Sequence, residues 1–186
     1  MDYTRKGFEM LSAFKLLLSA LIILSAIQYW YKKLVIALIT IFIVGMCVEI
    51  IGVYTGRLFG AYHYTSTLGF AIFNVPIIIG INWIVLTLST ASWIHPLRIQ
   101  SFYKVILGAT MMVVLDILLE FFAVKHHLWV WHESNYPGLQ NFIGWFITGI
   151  ITHSILRWSK YDESNVFAKV YLILLILFLL GDLCLI

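Results

Sequence analysis

Charge is scarce in this chain. Only 11% of its 186 residues are Asp, Glu, Lys or Arg, and the net charge is +3. So small an excess argues against a nucleic-acid partner and favours lipid head groups. Cysteine is scarce too. Cys47 and Cys184 both fall in apolar runs without metal-ligand spacing. They are expected to be small buried packing residues, not a disulfide. The DDxxD pattern that binds diphosphates through magnesium is missing, as are the HxxxH and HxxHH patterns of di-iron sites. There is no glycine-rich nucleotide loop, and the last apolar run has no lysine for a retinal Schiff base.

What is abundant is apolar surface. The chain is 62% hydrophobic with a mean hydropathy of +0.96. Its expected class is an all-α, polytopic transmembrane helix bundle forming a single integral membrane domain over residues 1–186. Crossing about 30 Å of hydrocarbon takes about 20 helical residues. Six runs qualify: about Phe14–Tyr31, Leu34–Val53, Leu68–Ala91, Phe102–Val124, Gln140–Leu156 and Val166–Ile186. The bundle therefore has about six spans, or seven. The first run has no small-residue cleavage site leading into a soluble domain and is expected to be a permanent span. Pro96 is expected to stop the third helix.

Two connections are richer than the rest, GVYTGRLFGAYHYTST after the second run and KHHLWVWHESNYPG after the fourth. An even span count puts both on one side. Lys32, Lys33, Arg98, Lys104, Arg157, Lys160 and Lys169 favour the other side, against Arg57, Lys125 and the N-terminal Arg5, Lys6 and Lys15. The positive-inside rule then places the rich loops outside the cytoplasm of a prokaryotic inner membrane. A faint echo links the two halves. Glu49 leads to an aromatic loop and VPIIIGINW, and Glu120 to another and YPGLQNFIGW. A duplicated two-helix unit and chance in a biased composition both remain open.

The residues most out of place are Asp116 and Glu120, one turn apart within an apolar run. A charge at the bilayer centre costs roughly 3 kcal/mol on insertion scales. Two close carboxylates in a low dielectric cannot easily both ionise, so one is expected to hold a proton. A neutral acid beside an anion is a poised proton donor and acceptor. The alternative is a structural pair with Arg57 or Lys125. Glu49 is either a third site acid or a partner of Arg57. Gly52, Gly56 and Gly60 fit close packing, a loop needing positive φ, or a re-entrant segment that brings Arg57, Tyr62 and Tyr64 to a cavity. Trp129, Trp131 and Trp145 fit an interfacial belt or a surface that stabilises cations. Asn74, Asn82 and Asn141 fit bonds between helices. His126, His127 and His132, followed by Glu133, do not have a metal-ligand spacing, so no metal site is expected. His153 is a candidate relay, and Asp182 lies near the water at the chain end.

Three stretches carry a family resemblance: EIIGVYTGRLFGAYHYTSTLGFAIFNVPIIIGINW (Glu49 to Trp83), DILLEFFAVKHHLWVW (Asp116 to Trp131) and NFIGWF (Asn141 to Phe146). The pattern resembles the carotenoid biosynthesis proteins that include carotenoid 1,2-hydratases and bisanhydrobacterioruberin hydratase. Phe121 stands where that pattern often has proline. The resemblance implies addition of water across the terminal C=C of an acyclic end group, giving a tertiary alcohol. The substrate would be lycopene, γ-carotene or a C50 relative. Such chemistry needs a dry proton donor, a shielded tertiary cation and a delivered water, and no cofactor. In this reading Asp116, Glu120 and Glu49 are catalytic. Trp83, Trp129, Trp131, Trp145, Tyr62 and Tyr64 line the cavity with Asn82 and Asn141, and Arg57 tunes a carboxylate. A non-enzymatic carotenoid- or lipid-binding membrane protein, a proton-coupled transporter and a lipid isomerase are the alternatives.

Overall fold

The computed structural model describes residues 2–132, 134 and 136–184, with side chains from residue 13 onward. Among these, six α-helices follow the apolar runs: α1 (Asp2–Ser25), α2 (Lys32–Thr55), α3 (Ile77–Ile94), α4 (Ser101–Lys125), α5 (Leu139–Trp158) and α6 (Val166–Leu183). Helices α2 to α6 are each long and apolar enough to cross a membrane. The described apolar part of α1, Ala13–Ser25, is shorter. The chain is thus an all-helical integral membrane protein whose small strands lie only in its loops.

Helix α3 is the centre of the bundle. Of its span, 67% is buried, against 17% for α6 at the periphery. It contacts α1, α2, α4, α5 and α6. The sequence permits this because glycine lines the approaches. A Cβ on Gly45 of α2 would lie 2.5 Å from the Trp83 ring, and one on Gly80 of α3 would lie 2.6 Å from Phe42. A Cβ on Gly149 of α5 would lie 2.9 Å from the Ala109 Cα on α4. Small residues at such crossings are how helices in lipid gain packing without a hydrophobic drive between them.

Two boundaries differ from expectation. The first helix ends at Ser25 instead of about Tyr31, because the Gln28 and Tyr29 amides leave the helix to donate to the Glu163 carboxylate at 3.2 and 3.3 Å. The third starts at Ile77 instead of about Leu68. The apolar stretch before it forms a 3-10 turn (Ser66–Leu68) and a hairpin of β2 (Ala71–Ile72) and β3 (Val75–Pro76). Phe73 and Asn74 turn that hairpin at φ of 49° and 62°. Pro96 does follow the end of α3. The cysteines also depart from expectation. Both are free and lie exposed on the outer face of the bundle, which for this fold is the lipid side.

The two rich loops meet. Strand β1 (Tyr62–Tyr64) pairs antiparallel with β4 (Trp129–Trp131), with Tyr62 opposite Trp131 and Tyr64 opposite Trp129. Both loops therefore lie at one end of the bundle, as the even span count required. Gly56 makes the turn possible, capping α2 at φ 63°, and Gly60 follows at φ 112° against the Trp131 ring. Side chains alternate across a strand. Tyr62, Tyr64, Trp129 and Trp131 thus turn inward together. His63 and Val130 face out, and His63 Nδ1 lies 2.8 Å from His132 Nε2.

The contacts between chain halves match the echo seen in the sequence. The α2–β1–α3 unit and the α4–β4–α5 unit pack crosswise, α2 on α5 and α3 on α4. Trp83 and Trp145, which close the two sequence echoes, stack on each other with ring centres 4.5 Å apart.

Candidate functional site

Three carboxyl groups lie under the β1–β4 lid. Glu49 comes from the last turns of α2, and Asp116 and Glu120 from one face of α4. All three are buried, at 4%, 0% and 4% exposure. Glu49 lies within electrostatic reach of both others. Nothing polar in the lipid could satisfy them, so the protein must.

It does so with aromatic donors. The Tyr62 and Tyr64 hydroxyls donate to Glu49 Oε2 at 2.5 and 2.8 Å, and Trp83 Nε1–H donates to Oε1 at 3.2 Å. The Trp129 and Trp131 indoles donate to Glu120 Oε2 at 3.1 and 2.9 Å. Asn141 donates to Asp116 Oδ2 at 2.5 Å. Asp116 Oδ1 has no partner among the described protein groups. The two cages touch: the Tyr62 ring centre is 5.1 Å from that of Trp131, and Tyr64 is 5.9 Å from Trp129.

This geometry explains the side-chain choice. An aromatic ring fills apolar space while one edge donates a hydrogen bond. Tyr and Trp therefore satisfy a buried carboxylate and also present π-faces that favour cations. Burial, then the Glu49 charge, pushes the Tyr62 and Tyr64 phenols well above the usual tyrosine value. Both remain neutral donors at any physiological pH.

Most of the expected site residues converge here: Glu49, Asp116, Glu120, Tyr62, Tyr64, Trp83, Trp129, Trp131, Asn141 and the stacked Trp145. Two do not. Arg57 is exposed beyond the α2 cap and forms no ion pair with the carboxylates among the described residues. It lines an apolar groove between α2 and α5 instead. Asn82 is half-buried and makes no hydrogen bond to the acids. Residues in a helix turn by about 100° each, so Asn82 cannot share the direction of Trp83. Lys125 does not pair with the three clustered acids either; it pairs with Asp182 at 3.2 Å.

The histidines separate. His126 bonds Asp182 at 3.0 Å, His132 meets His63, and the His127 carbonyl accepts from Thr65 at 2.7 Å. Glu133 lies outside the described residues. His153 is more than three turns along α5 from Asn141, wedged between Thr90 and the Gly149 carbonyl at 2.9 Å each. Its ring occupies the space a side chain on Gly108 would take, so it clamps α5 against α4 and α3.

One wall residue was not foreseen. Phe59, 2% exposed, is held by the absent side chains of Gly52 and Gly144 and sets its ring edge-on to Tyr62. The glycine spacing around it was the available signal, since Gly52 packs on this ring.

Fold and site together define an integral membrane protein with an acid cluster enclosed by aromatic hydrogen-bond donors. The chain belongs to the carotenoid biosynthesis protein family, whose model matches residues 10–185. Membership gives it a role in making carotenoids. No curated protein matches the chain. No solved structure matches it either.

Proposed function

We propose that the protein is a carotenoid hydratase that adds water across the terminal C=C of an acyclic end group by acid catalysis. The observation that carries this is the carboxyl cluster itself: three buried acids, donors on each, and four aromatic rings of the paired strands enclosing them. Protonating a trisubstituted alkene creates a tertiary cation. Fixed anions and aromatic faces in a water-poor site stabilise such a cation more than bulk water would. One carboxyl supplies the proton and another accepts the proton lost by the attacking water.

The scaffold suits the substrate class. A carotenoid is about as long as the roughly 30 Å hydrocarbon core is thick. A groove of about 420 Å³ between α2 and α5 is lined by Leu58, Phe59, Ile143, Ile147 and Ile151. Phe59 forms its wall and packs edge-on against Tyr62 on its other side, so this one ring stands between the groove and the acid cage. The polyene enters along this groove and places its end group beneath the lid.

Expression in a lycopene- or γ-carotene-producing host is the test. The expected product is a carotenoid heavier by one water. An isomer without added water would support a lipid isomerase, unchanged carotenoid bound to the protein a carrier, and substrate-dependent proton flux in vesicles a transporter.

A further inference from the structure

We propose that Asp116 holds and delivers the proton, and that Glu49 and Glu120 are kept as anions around the cation. The delivery step rests on the hydratase reading above; the proton's location does not.

The donor inventory separates the three acids. A buried carboxylate needs hydrogen-bond donors on its oxygens, and leaving one bare is costly. Glu49 has three donors spread over both oxygens. Glu120 has two. Asp116 has one, on Oδ2, while Oδ1 is buried and bare. That is the pattern of a neutral acid: Oδ2 is the carbonyl oxygen that accepts from Asn141, and Oδ1 carries the hydrogen. Among the described residues no salt bridge reaches the three acids: Arg57 is exposed and Lys125 is paired with Asp182.

The sequence echo between the halves points the same way. Setting Glu49 on Glu120 and Trp83 on Trp145 puts Gly45 opposite Asp116 and Ile79 opposite Asn141. Gly45 cannot be an acid, since the Trp83 ring fills the space of its missing side chain. The two halves thus share the glutamate, the aromatic strand and the tryptophan. The Asp–Asn pair belongs to the second half alone. What has no counterpart is what makes the site directional.

The step balances without a co-reactant. The Asp116 Oδ1–H bond breaks and its proton forms a C–H bond with the less substituted alkene carbon, using the π electrons. The other carbon becomes a tertiary cation facing the two glutamates. Water oxygen bonds to that carbon. The surplus proton leaves to Glu120, one turn from Asp116, and passes back to it, restoring the starting state.

Two measurements test this. In infrared difference spectra of the full-length protein at neutral pH, a neutral-carboxyl C=O band that shifts in deuterium oxide should vanish in D116N and persist in E49Q and E120Q. Conversion of lycopene should fall by about 100-fold or more in D116N, the range of a lost general acid. Absence of the band in the wild type, or its survival in D116N with loss in a glutamate variant, would overturn the assignment. So would wild-type conversion by D116N. If the wild type adds no water to any carotene, the hydratase reading fails, and the infrared band still decides where the proton sits.

Discussion

Replacing Tyr62 with phenylalanine removes one oxygen from the cage and little else. The ring stays between Phe59 and Trp131, so packing survives. What is lost is the 2.5 Å hydrogen bond to Glu49 Oε2, at a residue 5% exposed. A hydrogen bond to a charged group contributes about 1.5–3 kcal/mol. At 1.36 kcal/mol per tenfold, conversion should fall by about 10- to 150-fold if Glu49 acts as an anion in the transition state. Tyr64→Phe should cost less, since its bond is longer and less buried, and Trp83→Phe least among the three by distance. The assay is initial conversion of lycopene by purified protein in liposomes, with thermal unfolding followed in parallel. Unchanged rate and unchanged stability in Tyr62→Phe would refute the idea that these phenols sustain a buried charge.

Further outcomes follow from the same contacts. Gly45→Ala should destabilise by about 1–3 kcal/mol in detergent melts, because its new methyl meets the Trp83 ring. Gly181→Ala, with nothing near its Cβ, should be neutral or slightly stabilising. The raised phenols of Tyr62 and Tyr64 set an alkaline limit. Their contribution is whole below about pH 10, the unfolded tyrosine value, and is lost as pH rises beyond it. A melt series should therefore slope downward above about pH 10, less steeply in the Tyr62→Phe, Tyr64→Phe double variant. Arg57→Ala should change the KM for a long carotene more than kcat, since Arg57 lines the groove and pairs with no acid among the described residues.

Much of this was legible in the sequence because membranes punish polar groups. Asp116, Glu120 and Glu49 stood out as costs that had to be met, and the tyrosines and tryptophans of two loops were the nearest donors. Which donor meets which acid was not legible. That depends on strand register, and a three-residue strand leaves too short a pattern to fix it. The start of α3 was hidden for a related reason: GFAIFNVP is apolar enough for a helix, and only the left-handed pair at Phe73 and Asn74 turns it into a hairpin. Arg57 was drawn toward the acids by charge logic. The αL cap at Gly56 directs the chain outward there, and neutral aromatic donors take the role a cation was expected to fill. The sequence echo left duplication and chance equal. The antiparallel β1–β4 pairing and the Trp83–Trp145 stack favour duplication.

The most direct test of the central claim uses purified protein in liposomes containing lycopene, in water enriched in oxygen-18. A carotenoid alcohol carrying the label in its new hydroxyl is the predicted product, formed by the wild type and lost in the Asp116→Asn variant. Recovery of unlabelled, unchanged lycopene from correctly inserted wild-type protein would contradict the account.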